Sequence, residues 1–155
     1  MVEQRAQDIL AACEGLPVTE YFAGETIIEE GSVGDLLYLL IEGQVEVVKG
    51  DTVVSRVAEP GAVFGEISAL LERPTTASVK AASKARFYCL KSAGSTLVRH
   101  PVLALHTAQV LALRLANATE VLATVEQGDD KKDDGQFGIV DQVMDSLFDQ
   151  DRWSK

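Results

Sequence analysis

A chain of 155 residues is long enough for one domain with a real core and too short for two ordinary ones. Its formal net charge of −10 argues against nucleic acid and anionic membrane as direct partners, because both need a basic surface. The apolar runs fall far short of the roughly 20 residues a membrane-spanning helix needs, and Met1 to Asp8 mix charges instead of forming a secretory signal, so the expected location is the cytoplasm.

Ala6, Ile9, Leu10 and Cys13 recur at helical spacing, which predicts a short amphipathic helix over 3–13, ended by Gly15 and Pro17. From Thr19 to Leu90 the pattern changes. Short β-branched or aromatic runs at 26–28, 36–41, 45–48, 52–57, 76–79 and 86–90 alternate with Gly, Asp and Pro turns. Strands this short, at this spacing, predict a sandwich or barrel. Gly50-Asp51 lies between two runs and reads as a hairpin turn. Gly24, Gly31, Gly34, Gly43, Gly61 and Gly65 punctuate the region at turn positions.

From Ser92 the helical period returns. Residues 92–99 predict one short helix, and Pro101 opens a second that runs to about Val125. In the second, Ala104, Ala108, Leu111, Leu115, Ala118, Leu122 and Val125 step alternately by four and three, a heptad-like seam. Val102, Leu103, Val110, Leu113 and Val121 add apolar surface beside it. A helix this apolar is expected to pack on two things: its own β domain, and a second copy of itself, giving a homodimer through residues 102–125. Residues 128–135 read as a charged, Gly-bounded linker. Beyond it, Ile139, Val140, Val143, Met144, Leu147 and Phe148 share one helical face and Asp141, Asp145 and Asp149 another. That predicts an amphipathic tail helix within 136–155, too short to stand alone and so docked on its own domain or on a partner.

Cys13 and Cys89 form no metal-ligand or redox motif and read as small buried hydrophobes in a reducing compartment. His100 and His106 are isolated, so no metal site is expected. No nucleophile–base pair or cofactor motif of recognised spacing is present, which argues against an enzyme.

Two stretches carry a family resemblance. The first is Phe22-x-Gly24-Glu25, Gly31-x-x-Gly34-Asp35, Tyr38 and Gly43-x-Val45-x-Val47. The second is the run from Phe64 to Val79, containing Phe64-Gly65-Glu66 and Pro74-Thr75-Thr76-Ala77-Ser78. Together they resemble the cyclic-nucleotide-binding domain family: its glycine framework and its phosphate-binding cassette. The resemblance implies an α+β, mainly β fold. It would be a double-stranded β-helix (a jelly-roll-like β-roll) over about 19–91, flanked by an N-terminal helix and by C-terminal helices over about 92–125, all within a domain of 1–127.

It also implies cAMP or cGMP as the ligand, with no metal, and a site built from Phe64, Gly65, Glu66, Ile67, Ser68, Thr75, Thr76, Ala77 and Ser78, with Arg73 nearby. Gly65 would let the backbone approach the ligand. The amides of Ile67, Ser68 and Ala69, at a helix start, would face the phosphate. Glu66, acceptor-only when ionised, would take the ribose 2′-hydroxyl. One position departs from the family. Its pattern is Pro-Arg-x-Ala-Thr/Ser, and here Thr75 stands for the arginine that grips the cyclic phosphate. A hydrogen bond to a charged group contributes about 1.5–3 kcal/mol. Its loss is worth roughly ten- to a hundredfold in affinity. Arg73 precedes Pro74 and is expected to project into solvent. The long helix should cover the base, with Thr107, Arg114, Asn117 and Thr119 as its polar candidates, each read as a solvated helix residue. The expected function is a stand-alone regulatory sensor that acts on an unidentified protein partner and has no DNA-binding helix-turn-helix. The runner-up is a scaffold or dimerisation module of the same fold that binds no nucleotide.

Overall fold

The computed structural model describes residues 2–127; the linker expected at 128–135 and the tail helix expected within 136–155 lie outside them. Helix α1 (Val2–Ala12) leads into strands β1 (Val18–Tyr21), β2 (Thr26–Ile28), β3 (Leu37–Glu42), β4 (Val45–Lys49), β5 (Thr52–Val57) and β6 (Val63–Phe64). Then come α2 (Glu66–Leu71), β7 (Ser78–Ala81), β8 (Ala85–Leu90), α3 (Ala93–Arg99) and α4 (Pro101–Gln127). The strands form two four-stranded antiparallel sheets, in the orders β1-β8-β3-β6 and β2-β7-β4-β5. This is the mainly β roll with flanking helices that the resemblance implies.

The alternation of β3 explains how the layers hold together. Tyr38 and Leu40 point into the roll with Val47, Val57, Phe64 and Phe87. Leu37 and Leu39 point the other way, onto Ile9 of α1 and Cys13 just after it, Leu97 of α3, and Leu103 and Val110 of α4. A strand covered on both faces needs an unbroken apolar run, and residues 36–41 supply one. Each fully buried leucine contributes about 1.5–3 kcal/mol relative to exposure. Inside the roll, Tyr21, Tyr38, Phe64 and Phe87 meet edge to face, with ring centroids 5.9–6.4 Å apart. The β3–β4 turn depends on Gly43 (φ 102°), where a Cβ would sit 2.4 Å from the Lys84 carbonyl oxygen.

Two features differ from the sequence expectation. Strand β7 starts at Ser78 and not at Thr76, because Thr75 is bonded to the β2–β3 loop and the Thr76 carbonyl accepts from Lys49. The second concerns α4. Its domain-facing side is Leu103, Thr107, Val110, Arg114 and Asn117, all 6% exposed or less. Thr107, Arg114 and Asn117 are therefore buried, not solvated; only Thr119 of the four polar candidates is exposed. The apolar seam is split: Ala104 packs against the core, while Leu115 and Leu122 are 69% and 55% exposed.

Candidate ligand site at the cassette

The site is built where β6 passes into α2. Gly65 takes φ 84°, and a Cβ there would lie 2.6 Å from the Leu36 carbonyl oxygen, so no other residue fits without displacing backbone. Helix α2 starts immediately, at Glu66. Gly65, Glu66 and Ile67 line one side of a cavity of about 50 Å³, and Thr75, Thr76 and Ala77 line another. Ile28, Val47 and Val79, from β2, β4 and β7, complete its apolar wall.

Six of the expected site residues thus converge. The others are placed elsewhere. Phe64 is 2% exposed and packs edge to face on Phe87 in the roll. The Ser78 hydroxyl accepts from the Glu30 N–H at 2.9 Å. Arg73 is exposed, as expected, and does not line the cavity. Ser68 is buried and its hydroxyl clamps Gly34, accepting from the Gly34 N–H at 2.7 Å and donating to the Gly34 carbonyl at 3.0 Å. It lines a second cavity, of about 180 Å³, that shares Ile28, Gly65 and Thr75 with the first.

Thr75 is fully engaged with the β2–β3 loop. Its hydroxyl donates to the Glu29 carbonyl at 2.6 Å. Its N–H donates to the Ser32 carbonyl, and its own carbonyl accepts from Gly31, each at 2.9 Å. The neighbouring cation is Lys49, whose Nζ donates to Glu30 at 2.5 Å and to the Thr76 carbonyl at 2.7 Å. The Lys49 hydrogen bond first, and one that the Gly50 N–H donates to Glu30 Oε2 at 2.9 Å second, hold the Glu30 carboxyl below its usual value.

The contact missing from the sequence reading is Arg114. From α4 its Nη1 donates to Glu66 Oε1 at 2.8 Å and its Nη2 to the Val63 carbonyl at 2.5 Å. Both side chains are largely buried, at 7% and 12% exposed. Burial pulls the guanidinium below its usual value, and the Glu66 charge opposes that. A signal was present in the sequence: Leu103, Thr107, Val110, Arg114 and Asn117 are spaced as regularly as the apolar seam.

Farther out, His106 shares a 2.7 Å hydrogen bond with the Gly61 carbonyl, and burial pushes its imidazole down. Cys13 and Cys89 are free thiols, and burial pushes the Cys13 thiol up to about 11. Among the described residues there is no metal-ligating group of three or more side chains, and no helix long and apolar enough to cross a membrane.

Residues 18–94 match the family model described as cyclic nucleotide-binding domain. An uncharacterized ABC transporter ATP-binding protein of Mycobacterium tuberculosis is 40% identical over 67 residues, 41% of this chain and 20% of that protein. A cAMP-dependent protein kinase regulatory subunit of Eremothecium gossypii is 35% identical over 85 residues, 54% of this chain and 19% of that protein. The chain therefore spans about a fifth of the length of these curated relatives. The catabolite activator protein of Thermus thermophilus superposes with a TM-score of 0.65 at 27% identity, over 77% of this chain and 59% of that one.

Proposed function

Through residues 18–94 the chain belongs to the cyclic nucleotide-binding domain family, and from that premise we propose that it is a regulatory module that takes cAMP or cGMP into the cassette cavity. The observation that carries this reading is the convergence of Gly65, Glu66, Ile67, Thr75, Thr76 and Ala77 on one cavity, with Glu66 tied to the long helix by Arg114. The ribose 2′-hydroxyl goes to Glu66, whose Oε1 is engaged by Arg114 and whose Oε2 keeps its acceptor capacity. The phosphate meets backbone N–H groups at the α2 start and at Thr76 and Ala77, without an arginine. Affinity is accordingly weak, about ten- to a hundredfold below a site that has one.

Size links binding to movement in this proposal. Small-molecule sites ordinarily measure about 300–1,000 Å³, and the cavity is about 50 Å³. A nucleotide enters only if α2 or α4 gives way, and the Arg114–Glu66 pair is the joint between them. A ligand that binds the opened arrangement better shifts the population toward it, and the α4 surface reports the change to a protein partner.

A second reading, a scaffold or dimerisation module without nucleotide, is favoured by the exposed apolar side chains of α4, Leu105, Leu115 and Leu122. Isothermal titration calorimetry with cAMP and cGMP separates the two. Saturable heat that Glu66→Ala removes supports the sensor. Silence with both ligands, in the natural chain and in Thr75→Arg, leaves the scaffold.

A further inference from the structure

The charges around the cassette cavity do not suit an anion. Among the described residues no lysine, arginine or histidine lines it, and the one ionisable residue that does is the acid Glu66. The two nearby cations are each committed to an acid. Arg114 is held by Glu66 and the Val63 carbonyl, and Lys49 by Glu30 and the Thr76 carbonyl. Each pair is locally neutral. Thr75 has one hydroxyl proton, and it goes to the Glu29 carbonyl at 2.6 Å. Its backbone N–H goes to Ser32. What remains for a phosphate is backbone amide alone, at the start of α2, a six-residue helix, and at Thr76 and Ala77. Even a full helix end carries only about half a positive charge.

The ribose half of the site is intact, by contrast. Glu66 lines the cavity, is oriented by Arg114, and has a carboxylate oxygen to spare for a hydroxyl donor. The cavity is also small, about 50 Å³, so a ligand without a phosphate ring demands less opening.

We infer that the ligand this pocket prefers is an uncharged ribonucleoside, and that the cyclic monophosphate of the same base binds more weakly. The inference rests on the reading of the cavity as a ribose site. Burying a phosphate monoanion against a carboxylate, with no cation among the described lining residues, costs desolvation that neutral backbone amides return only in part. A neutral nucleoside keeps the hydroxyl–carboxylate hydrogen bond and avoids that cost. Thr75→Arg then reverses the order, because it restores a cation at the cavity wall.

The test is calorimetry on the full chain with adenosine, guanosine, cAMP and cGMP, repeated on Thr75→Arg and Glu66→Gln. The expected result is one nucleoside at least about tenfold tighter than its cyclic monophosphate. Thr75→Arg should tighten the cyclic monophosphate by about tenfold or more and leave the nucleoside within about threefold. Glu66→Gln should weaken the nucleoside, which places it in this cavity. A cyclic monophosphate that binds the natural chain as tightly as its nucleoside overturns the inference and leaves the ribose site standing. Silence with all four ligands, in the natural chain and in a Thr75→Arg variant folded by circular dichroism, overturns the ribose site itself. If Thr75→Arg does not fold, Thr75→Lys carries the same charge and the same expectations.

Discussion

Arg114 of α4 donates to Glu66 of α2 at 2.8 Å, across 48 residues of chain, with both side chains nearly out of solvent. The pair joins the element that forms the cavity wall to the element that lies over the roll. Because Arg114 also binds the Val63 carbonyl, it holds both ends of the β6–α2 turn.

Removing one member of this pair should therefore cost more than removing both. Breaking a buried ion pair leaves an unpaired charge and is worth about 3–5 kcal/mol, whereas replacing both partners by apolar groups is often near neutral. We expect Arg114→Met to lower unfolding free energy by about 3 kcal/mol, and Glu66→Leu combined with Arg114→Met to recover much of it. Urea denaturation of the two single variants and the double variant measures the coupling directly. Additive losses would show that the pair contributes little.

Ser68 is a second hinge pin. Its buried hydroxyl satisfies both backbone groups of Gly34. Ser68→Ala removes the partner of both backbone groups of Gly34, which is itself exposed, at about 0.5–1.5 kcal/mol for each hydrogen bond lost. The expected signature is local as well as global: the Gly34 amide should lose protection in hydrogen exchange more than the β3 and β8 amides do. Equal loss everywhere would mean that Ser68 supports the whole domain and not this loop.

The fold was legible in the sequence because its determinants are local. Glycines at turns, a doubly buried strand such as 36–41, and the switch to helical period at Ser92 each show in a short window. The buried face of α4 was not legible in the same way. Arg114 is buried only because Glu66 and the Val63 carbonyl, 48 and 51 residues earlier, receive its hydrogen bonds. A linear pattern shows an arginine on a helix and suggests solvent. The seam through Leu115 and Leu122 shows apolar residues and suggests burial, without saying whether against the domain or against a second copy. The structure buries Arg114 and leaves Leu115 and Leu122 exposed on the domain. Within the cassette, positions were legible and hydrogen bonds were not: nothing in Pro74-Thr75-Thr76 reveals that the Thr75 hydroxyl is already spent on Glu29.

His106 gives the domain a pH dependence of known sign. Burial lowers its folded-state value below the ordinary 6.5, only partly offset by its hydrogen bond to the Gly61 carbonyl. Between the folded and unfolded values the unfolded chain binds more protons, so stability rises with pH there. The contribution is complete above about pH 6.5 and is lost as pH falls toward the folded value. Melting temperatures from pH 7.5 to 5 should fall for the natural chain and stay flatter for His106→Gln, whose amide can still donate to Gly61. Parallel curves would assign the pH dependence to other groups.

The outer face of α4 is built to meet another helix. Leu105, Ala108, Ala112, Leu115, Thr119 and Leu122 step alternately by three and four, and every one is exposed. Only Thr119 is polar, so the helix presents a heptad stripe to solvent over about five turns. A monomer gains nothing from this arrangement, and an exposed apolar stripe of this regularity suits a second helix of the same kind. We expect a homodimer by light scattering coupled to size exclusion. Leu115→Glu with Leu122→Glu should convert it to a monomer, because each helix then sets two carboxylates against its copy. The same substitutions should leave the folded monomer intact, within about 0.5 kcal/mol per site, since neither leucine is buried in the domain. A natural chain that stays monomeric at high concentration would sink the dimer. A double variant that loses its fold along with its partner would show that the stripe serves the domain itself.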